Sequence, residues 1–447
     1  MSLLCEADYL PSLYKITDKV KALLGKDDRI ALTFEKCYPD VLKTLHLLPD
    51  GTVHVITGDI PAMWLRDSAA QLRPYLVPAR EDKNLSDLIV GVSRRQFMFL
   101  NIDPYANAFN LEANGHHYSQ DDENMNPWVW ERKYEIDSLC YPIQLAYLIW
   151  KETGRTDHFD QNFWLGIEKI LSIWETEQRH EEKSEYRFRR ENTRYFDTIS
   201  REGKGSLVNS GIGLIWSGFR PSDDGCTYGY LIPSNMFAVV VLSYVREILH
   251  ALVISSDKRE EYIGSIGMDK QFFVNTDRRA GALIDSVSAA IEKYGIADLG
   301  DGEFAYAYEV DGFGNFLMID DANVPSLLSM DYLGYKPANR EAACRTRKWI
   351  LGEENPYFYA GKEASGIGSQ HTKAGYVWPI ALAMQGLTSG SKEEKRRLLS
   401  LLSGTTAGTG YMHESFDVND QTLFSREWFS WSNALFCELV MDYLDMK

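Results

Sequence analysis

Asp59-Ile-Pro-Ala-Met-Trp-Leu-Arg-Asp-Ser68 runs straight into the apolar stretch from Ala69 to Leu76. A Trp-Leu setting that holds Arg66 beside Asp67 is costly unless those charges are paired or bind something. The same order, a polar cluster and then an apolar helical stretch, recurs along the chain. The further apolar stretches are Leu139 to Trp150, Met236 to Leu252, Val324 to Tyr332, Tyr376 to Leu387 and Trp431 to Leu444. Between them lie amphipathic stretches with charges on one face: Thr33 to Leu47, Leu85 to Leu100, Phe159 to Trp174, Arg278 to Tyr294, Arg340 to Leu351 and Glu393 to Leu402. A helix with a charged face belongs outside, and one that is apolar all round belongs inside. Six outer and six inner helices in alternation predict an all-α (α/α)6 barrel. No βαβ alternation occurs, which weighs against a TIM barrel or a doubly wound sheet. A few short strands are expected in loops, the clearest at Phe304-Ala-Tyr306-Ala-Tyr308 in the Gly- and Asp-rich region 295–314.

The 447 residues contain no low-complexity linker, so the chain reads as one catalytic domain over 1–447. The most polar stretch, 177–194, reads as an exposed helix end and loop. A net charge of −17 argues against a nucleic-acid partner, whose phosphates it would repel. The six cysteines, Cys5, Cys37, Cys140, Cys226, Cys344 and Cys437, are dispersed without a C-x-x-C pair. They read as buried or free thiols in a reducing compartment, not as a disulfide framework or a zinc site. Neither a signal peptide nor a stretch of 18 apolar residues is visible, so no membrane partner is expected and a cytoplasmic location is the default. The sequence is silent on oligomeric state.

Each apolar stretch is preceded or begun by one polar cluster. These are Trp64-Leu-Arg66-Asp67-Ser68; Tyr134-Glu-Ile-Asp137-Ser138; Arg220-Pro-Ser-Asp223-Asp224 continuing to Ser234-Asn235; Asp320-Asp321-Ala-Asn323; Gln370-His371-Thr-Lys373; and Glu427-Trp428-Phe-Ser-Trp431-Ser432-Asn433. Helix capping explains part of this pattern. Six clusters at inner-helix N-termini should also converge on one end of the barrel and form one pocket. Aromatics make up 13% of the chain, and Trp beside polar residues favours a sugar, whose C–H faces stack on flat rings. The pocket candidates are rich in carboxylates: Asp67, Asp137, Asp223, Asp224, Asp320, Asp321, Glu414 and Glu427. Paired carboxylates in an aromatic cleft suit glycosidic hydrolysis, one protonating the leaving oxygen while the other activates water or attacks carbon. Burial beside Trp and Phe is expected to raise the acid's pKa toward neutrality. No G-x-S-x-G elbow, phosphate-binding loop or H-E-x-x-H is present, so no metal or cofactor is called for.

The strings Asp59–Ser68, Trp216-Ser-Gly-Phe-Arg-Pro-Ser-Asp-Asp224, Tyr228-Gly-Tyr-Leu-Ile-Pro-Ser-Asn235, His413-Glu414-Ser-Phe416 and Arg426-Glu-Trp-Phe-Ser-Trp431 resemble glycoside hydrolase family 125. The resemblance extends from about Asp28 to Tyr443. It implies an exo-acting α-1,6-mannosidase on an (α/α)6 barrel, taking α-mannoside oligosaccharides and inverting the anomeric centre with an Asp acid and a Glu base. Its acid falls in the loop carrying Asp223 and Asp224. The choice between them is open, with a lean to Asp223; the other would orient substrate or hold Arg220. Its base corresponds to Glu414, after the Gly-rich turn 404–410. Arg66 and Asp67 are then expected to bind hydroxyls of the terminal mannose. Trp64, Trp216, Trp428 and Trp431 are candidates to line the pocket, at least two of them expected to be simply core; Arg220, Asp137, Asn235, His371 and Glu427 are further candidates for binding substrate. Acid and base in an inverting enzyme sit roughly 6.5–9.5 Å apart, leaving room for water. Two other readings compete: a sugar isomerase or epimerase on the same barrel, and a non-catalytic carbohydrate-binding protein.

Overall fold

The computed structural model describes residues 2–3, 10–119, 125–191 and 193–446. Cys5 lies outside these, and Cys37, Cys140, Cys226, Cys344 and Cys437 are free thiols. Twelve helices alternate between two rings. The outer ones are α1 (Arg29–Cys37), α3 (Lys83–Ile102), α5 (Gln161–Glu177), α7 (Lys270–Tyr294), α9 (Arg340–Ile350) and α11 (Lys392–Gly404). The inner ones are α2 (Leu65–Ala70), α4 (Ile136–Thr153), α6 (Ile232–Leu249), α8 (Met330–Leu333), α10 (Pro379–Leu387) and α12 (Ser430–Tyr443). Around the inner ring α2 packs on α4, α4 on α6, α6 on α8, α10 on α12 and α12 on α2. Tyr332 of α8 also reaches across to α12, donating its hydroxyl to Glu438 at 2.8 Å.

The outer/inner distinction follows from side-chain periodicity. In α7 the buried residues are Phe273, Thr276, Ala280, Leu283, Val287, Ala290 and Ile291, a stripe repeating every three or four positions. In α12 every residue from Ser430 to Met441 is buried. By length and composition, Ile232–Ile254 could cross a membrane, a span the 18-residue apolar criterion missed. Its α-helical part, α6, is wedged between α4 and α7, where all-round apolarity serves burial on several sides.

Three expected helices are shorter than their apolar or amphipathic runs. The stretch Thr33 to Leu47 is helical only to Cys37, because Pro39 has no N–H to continue the ladder; a 3-10 turn and the strand Leu45–Leu47 follow. The stretch Ala69 to Leu76 is broken at Pro74 into α2, a 3-10 turn and a single turn, Leu76–Ala79. The stretch Val324 to Tyr332 stays irregular until Met330. There the Asp320 carboxylate accepts the N–H groups of Leu327 and Leu328 at 2.8 and 3.0 Å, an alternative to helical bonding. The stretch 177–194 also departs from expectation. Glu177, His180, Tyr186, Phe188 and Arg190 are buried in it, and Glu177 accepts from His180, Ser184 and Tyr105. The hairpin at Phe304 is present, with Ile296–Gly300 pairing antiparallel to Glu303–Tyr306.

Short strands steer the segments that enter the inner helices. Met63–Trp64 pairs with Ala108–Phe109, which pairs with Val129–Glu131. Tyr376–Val377 pairs with Phe416–Asp417, joining the approach to α10 with the segment that carries Glu414.

Candidate active site

Side chains from all six inner-helix approaches line one cavity of about 700 Å³, counted to its open mouth. Trp64, Arg66 and Asp67 come from the start of α2, Glu131 from the strand before α4 and Lys133 from the segment that joins them. Asp223 comes from the turn before α6, Asn323 from the approach to α8, and His371 and Trp378 from the approach to α10. Glu414, Arg426, Phe429 and Trp431 come from the approach to α12. The convergence expected from the six clusters is therefore present in the geometry.

Arg66 organises one wall. It is buried, and four carboxylates meet its guanidinium: Glu135 at 2.7 Å and Asp137 at 3.2 Å on Nη1, Asp223 at 3.0 Å on Nη2, and Asp67 at 3.5 Å from Nε. Asp223 sits in a tight turn in which Arg220 N–H donates to Asp224 O and Asp223 N–H to Arg220 O. Its φ of 65° is left-handed, a region Asp tolerates better than most residues. Lys133 holds this turn by donating to the Asp223 carbonyl at 2.8 Å, and Asn107 donates to Asp223 Oδ1 at 3.3 Å.

The electrostatics differ from the expected apolar cage. Burial favours a protonated Asp223, but the Arg66 and Lys133 cations overcome it and hold its carboxyl well below the usual range. Burial instead pushes two neighbours, Asp67 and Asp137, up to about 6 against the pull of Arg66. Glu135 is driven well above its usual value by burial, against the pull of Arg66 and with lesser help from Asp223 and Asp137. On the facing side Glu414 Oε2 accepts the Ser425 hydroxyl at 2.7 Å, and its Oε1 lies 3.6 Å from Arg426. Arg426 also pairs with Asp59. His371 bonds through Nδ1 to Asp224 at 3.0 Å. Burial works against its charge, but Asp224, Glu414 and Asp223 outweigh burial and push it up to about 9, so it is a cation at neutral pH.

The remaining sequence candidates sit behind the cavity or outside it. Asp224 is buried and its carboxylate is turned to His371, not to the Arg220 guanidinium, which pairs instead with Glu309. Asp137 lies beneath Arg66. Trp216 is core, its ring stacked 3.6 Å from His180 between Gly205 and Gly229. Asn235 clamps backbone, accepting from Ile215 N–H at 2.8 Å and donating to the carbonyls of Ile215 and Leu231. Glu427 is exposed and does not line the cavity. Asp320 and Asp321 serve loop amides and Ser369. Several cavity residues escaped sequence reasoning. Lys133 lies directly before the quoted Tyr134 cluster, with adjacency as the available signal, while Glu135 lies within that cluster and behind the cavity. Glu131 and Asp197 carried none.

Residues 27–441 match a family described as metal-independent alpha-mannosidase (GH125). The chain belongs to glycoside hydrolase family 125. Among the three readings left open by the sequence, this membership selects the hydrolase. A curated relative of this family 125 chain is the meiotically up-regulated gene 157 protein of Schizosaccharomyces pombe, 37% identical over 99% of this chain and 87% of the relative. A metal-independent α-mannosidase of Streptococcus pneumoniae, solved in a non-productive complex with α-1,6-mannobiose, is 48% identical. It superposes with a TM-score of 0.91 over 98% of this family 125 chain and 99% of the other. A glycosidase variant at 12% identity and TM-score 0.53, covering 94% of this chain and 97% of its own, shares the fold alone.

Proposed function

We propose that this family 125 α-mannosidase removes terminal α-1,6-linked mannose from the non-reducing end of oligosaccharides, with inversion. One observation carries the assignment of roles. Asp223 and Glu414 reach the same cavity from different approaches, while Asp224, the alternative acid, is buried behind it and committed to His371. Asp223 protonates the glycosidic oxygen as the C–O bond breaks. Glu414 removes a proton from the water that attacks the anomeric carbon from the opposite face. Arg66 and Asp67 grip sugar hydroxyls through charge-assisted bonds, and Trp64 and Trp431 offer ring faces. The Streptococcus pneumoniae relative, solved with α-1,6-mannobiose, supports the linkage. A pocket walled by six approaches supports exo action.

Incubation with α-1,6-mannobiose, followed by proton NMR before mutarotation, tests this reading. β-Mannose is expected as the first product. Initial α-mannose would overturn inversion, and no mannose at all would overturn the substrate assignment.

A further inference from the structure

The charges around Arg66 do not balance. Glu131 and Asp197 are served by Lys133 and Arg190: Lys133 lies 3.6 and 2.7 Å from them, Arg190 3.2 and 2.8 Å. That leaves Arg66 as the one cation in direct contact with Asp67, Glu135, Asp137 and the Asp223 carboxylate, with Lys133 and His371 acting on Asp223 from further off. A buried cluster with such an excess of carboxylates retains protons.

Glu135, like Asp137, has a side-chain exposure of 0%. Its Oε2 accepts from Arg66 and from the Ser138 hydroxyl at 2.7 Å, while its Oε1 receives no N–H or O–H donor. Asp223 stands near enough to press on Glu135 electrostatically, and both are drawn to the one guanidinium of Arg66. Two carboxyl groups can bond only when one of them carries a proton. Arg66 fixes the pair, donating to Glu135 from Nη1, which Asp137 shares, and to Asp223 from Nη2.

We propose that Glu135 is the positioning residue of the acid: it holds, in a hydrogen bond shared with Asp223, the proton that Asp223 delivers to the glycosidic oxygen. The proposal rests on the reading of Asp223 as the acid. It answers a difficulty in that reading, since an Asp223 ionised by Arg66 and Lys133 has no proton to give. In the step, the shared proton moves from Glu135 onto Asp223 and then to the leaving oxygen as the C–O bond breaks. Water oxygen bonds to the anomeric carbon, and Glu414 takes the water proton. The pair is left with two negative charges, recovers one proton from solvent, and Glu414 returns its own.

Other titratable groups face the pair. Arg66 and Asp67 lie on α2 and Asp137 on α4, Lys133 is on the preceding segment, and His371 with Glu414 stands across the cavity. The test separates them. Wild type, Glu135→Gln and Asp223→Asn are compared by kcat/KM against pH, on α-1,6-mannobiose and on 2,4-dinitrophenyl α-mannoside, whose leaving group needs no proton. Gln keeps the shape of Glu135 but cannot release a proton to Asp223. On mannobiose, E135Q is expected to move the alkaline limb down by about one pH unit or more. It is also expected to lose roughly a hundredfold at neutral pH. On the activated substrate both effects vanish. An unmoved limb with a uniform rate loss overturns the proposal, and so does a limb that stays where His371 sets it. If D223N is not rescued by the activated substrate, the acid assignment itself falls. If D223N is rescued and E135Q leaves the limb unmoved, only the role of Glu135 falls. Infrared titration of the folded wild type covers the case in which E135Q does not fold. A protonated-carboxyl band must disappear in parallel with the alkaline limb, and its absence overturns the proposal.

Discussion

Glu414→Gln lowers kcat on α-1,6-mannobiose by roughly 10²- to 10⁴-fold and leaves KM within about a few-fold of wild type. The reason lies in what Gln preserves. Its carbonyl can still accept the Ser425 hydroxyl, and the contact it loses, to Arg426 at 3.6 Å, is long. Arg426 keeps a second partner in Asp59, so no buried cation is stranded. The fold and the sugar contacts therefore survive, while the group that takes the water proton is gone. Such a base acts only as charge develops in the transition state, so its loss falls on kcat. Azide needs no base and should restore turnover in E414Q, giving the β-mannosyl azide. Turnover of E414Q within about tenfold of wild type, or a loss confined to KM, would remove Glu414 from the base role.

Arg66→Met destabilises the fold by about 3–5 kcal/mol, the scale for removing one partner from a buried ion cluster. Met fills similar volume beside Trp431, whose ring lies 5.8 Å from the guanidinium, so packing loss is secondary. The dominant effect is that Glu135, Asp137, Asp67 and Asp223 face one another with no guanidinium between them. The pH dependence has a defined sign. Asp67 and Asp137 are already raised to about 6 in the folded protein, against about 3.9 in an unfolded chain. The folded state thus binds more protons than the unfolded one between these values. That contribution to stability is complete below about pH 4 and is lost as pH rises through 6. Without Arg66 the carboxyl pKa values rise further, so the R66M penalty is expected to be smaller at pH 5 than at pH 8. Urea denaturation of both proteins at the two pH values measures it. A penalty equal at both, or below about 1 kcal/mol, would show that the cluster is held by something other than Arg66.

How far the sequence could be read varied along the chain with the kind of signal. The α7 stripe from Phe273 to Ile291 and the all-round apolarity of α12 are one-dimensional patterns with a three-dimensional meaning, because a helix turns about 100° per residue. Val324 to Tyr332 has the composition of an inner helix, yet a carboxylate several residues upstream claims its amides. Hydropathy carries no trace of that hydrogen bond. Trp216 and Trp64 sit in equally suggestive motifs. One stacks on His180 in the core and the other lines the cavity, and only the neighbours brought by folding separate them.

The sequence alone determined the alternation of outer and inner helices, the convergence of six polar clusters and the family, since each depends on local spacing or on long contiguous motifs. The tertiary structure decided which carboxylates share a charge environment. Arg66, Lys133, Glu135 and Asp223 come from three separate approaches, and the last is 157 positions from Arg66. Whether Asp223 or Asp224 faces the cavity depends on one left-handed residue in a four-residue turn. Whether a carboxyl holds its proton depends on burial and on neighbouring charges within a few ångströms, and chain order specifies neither.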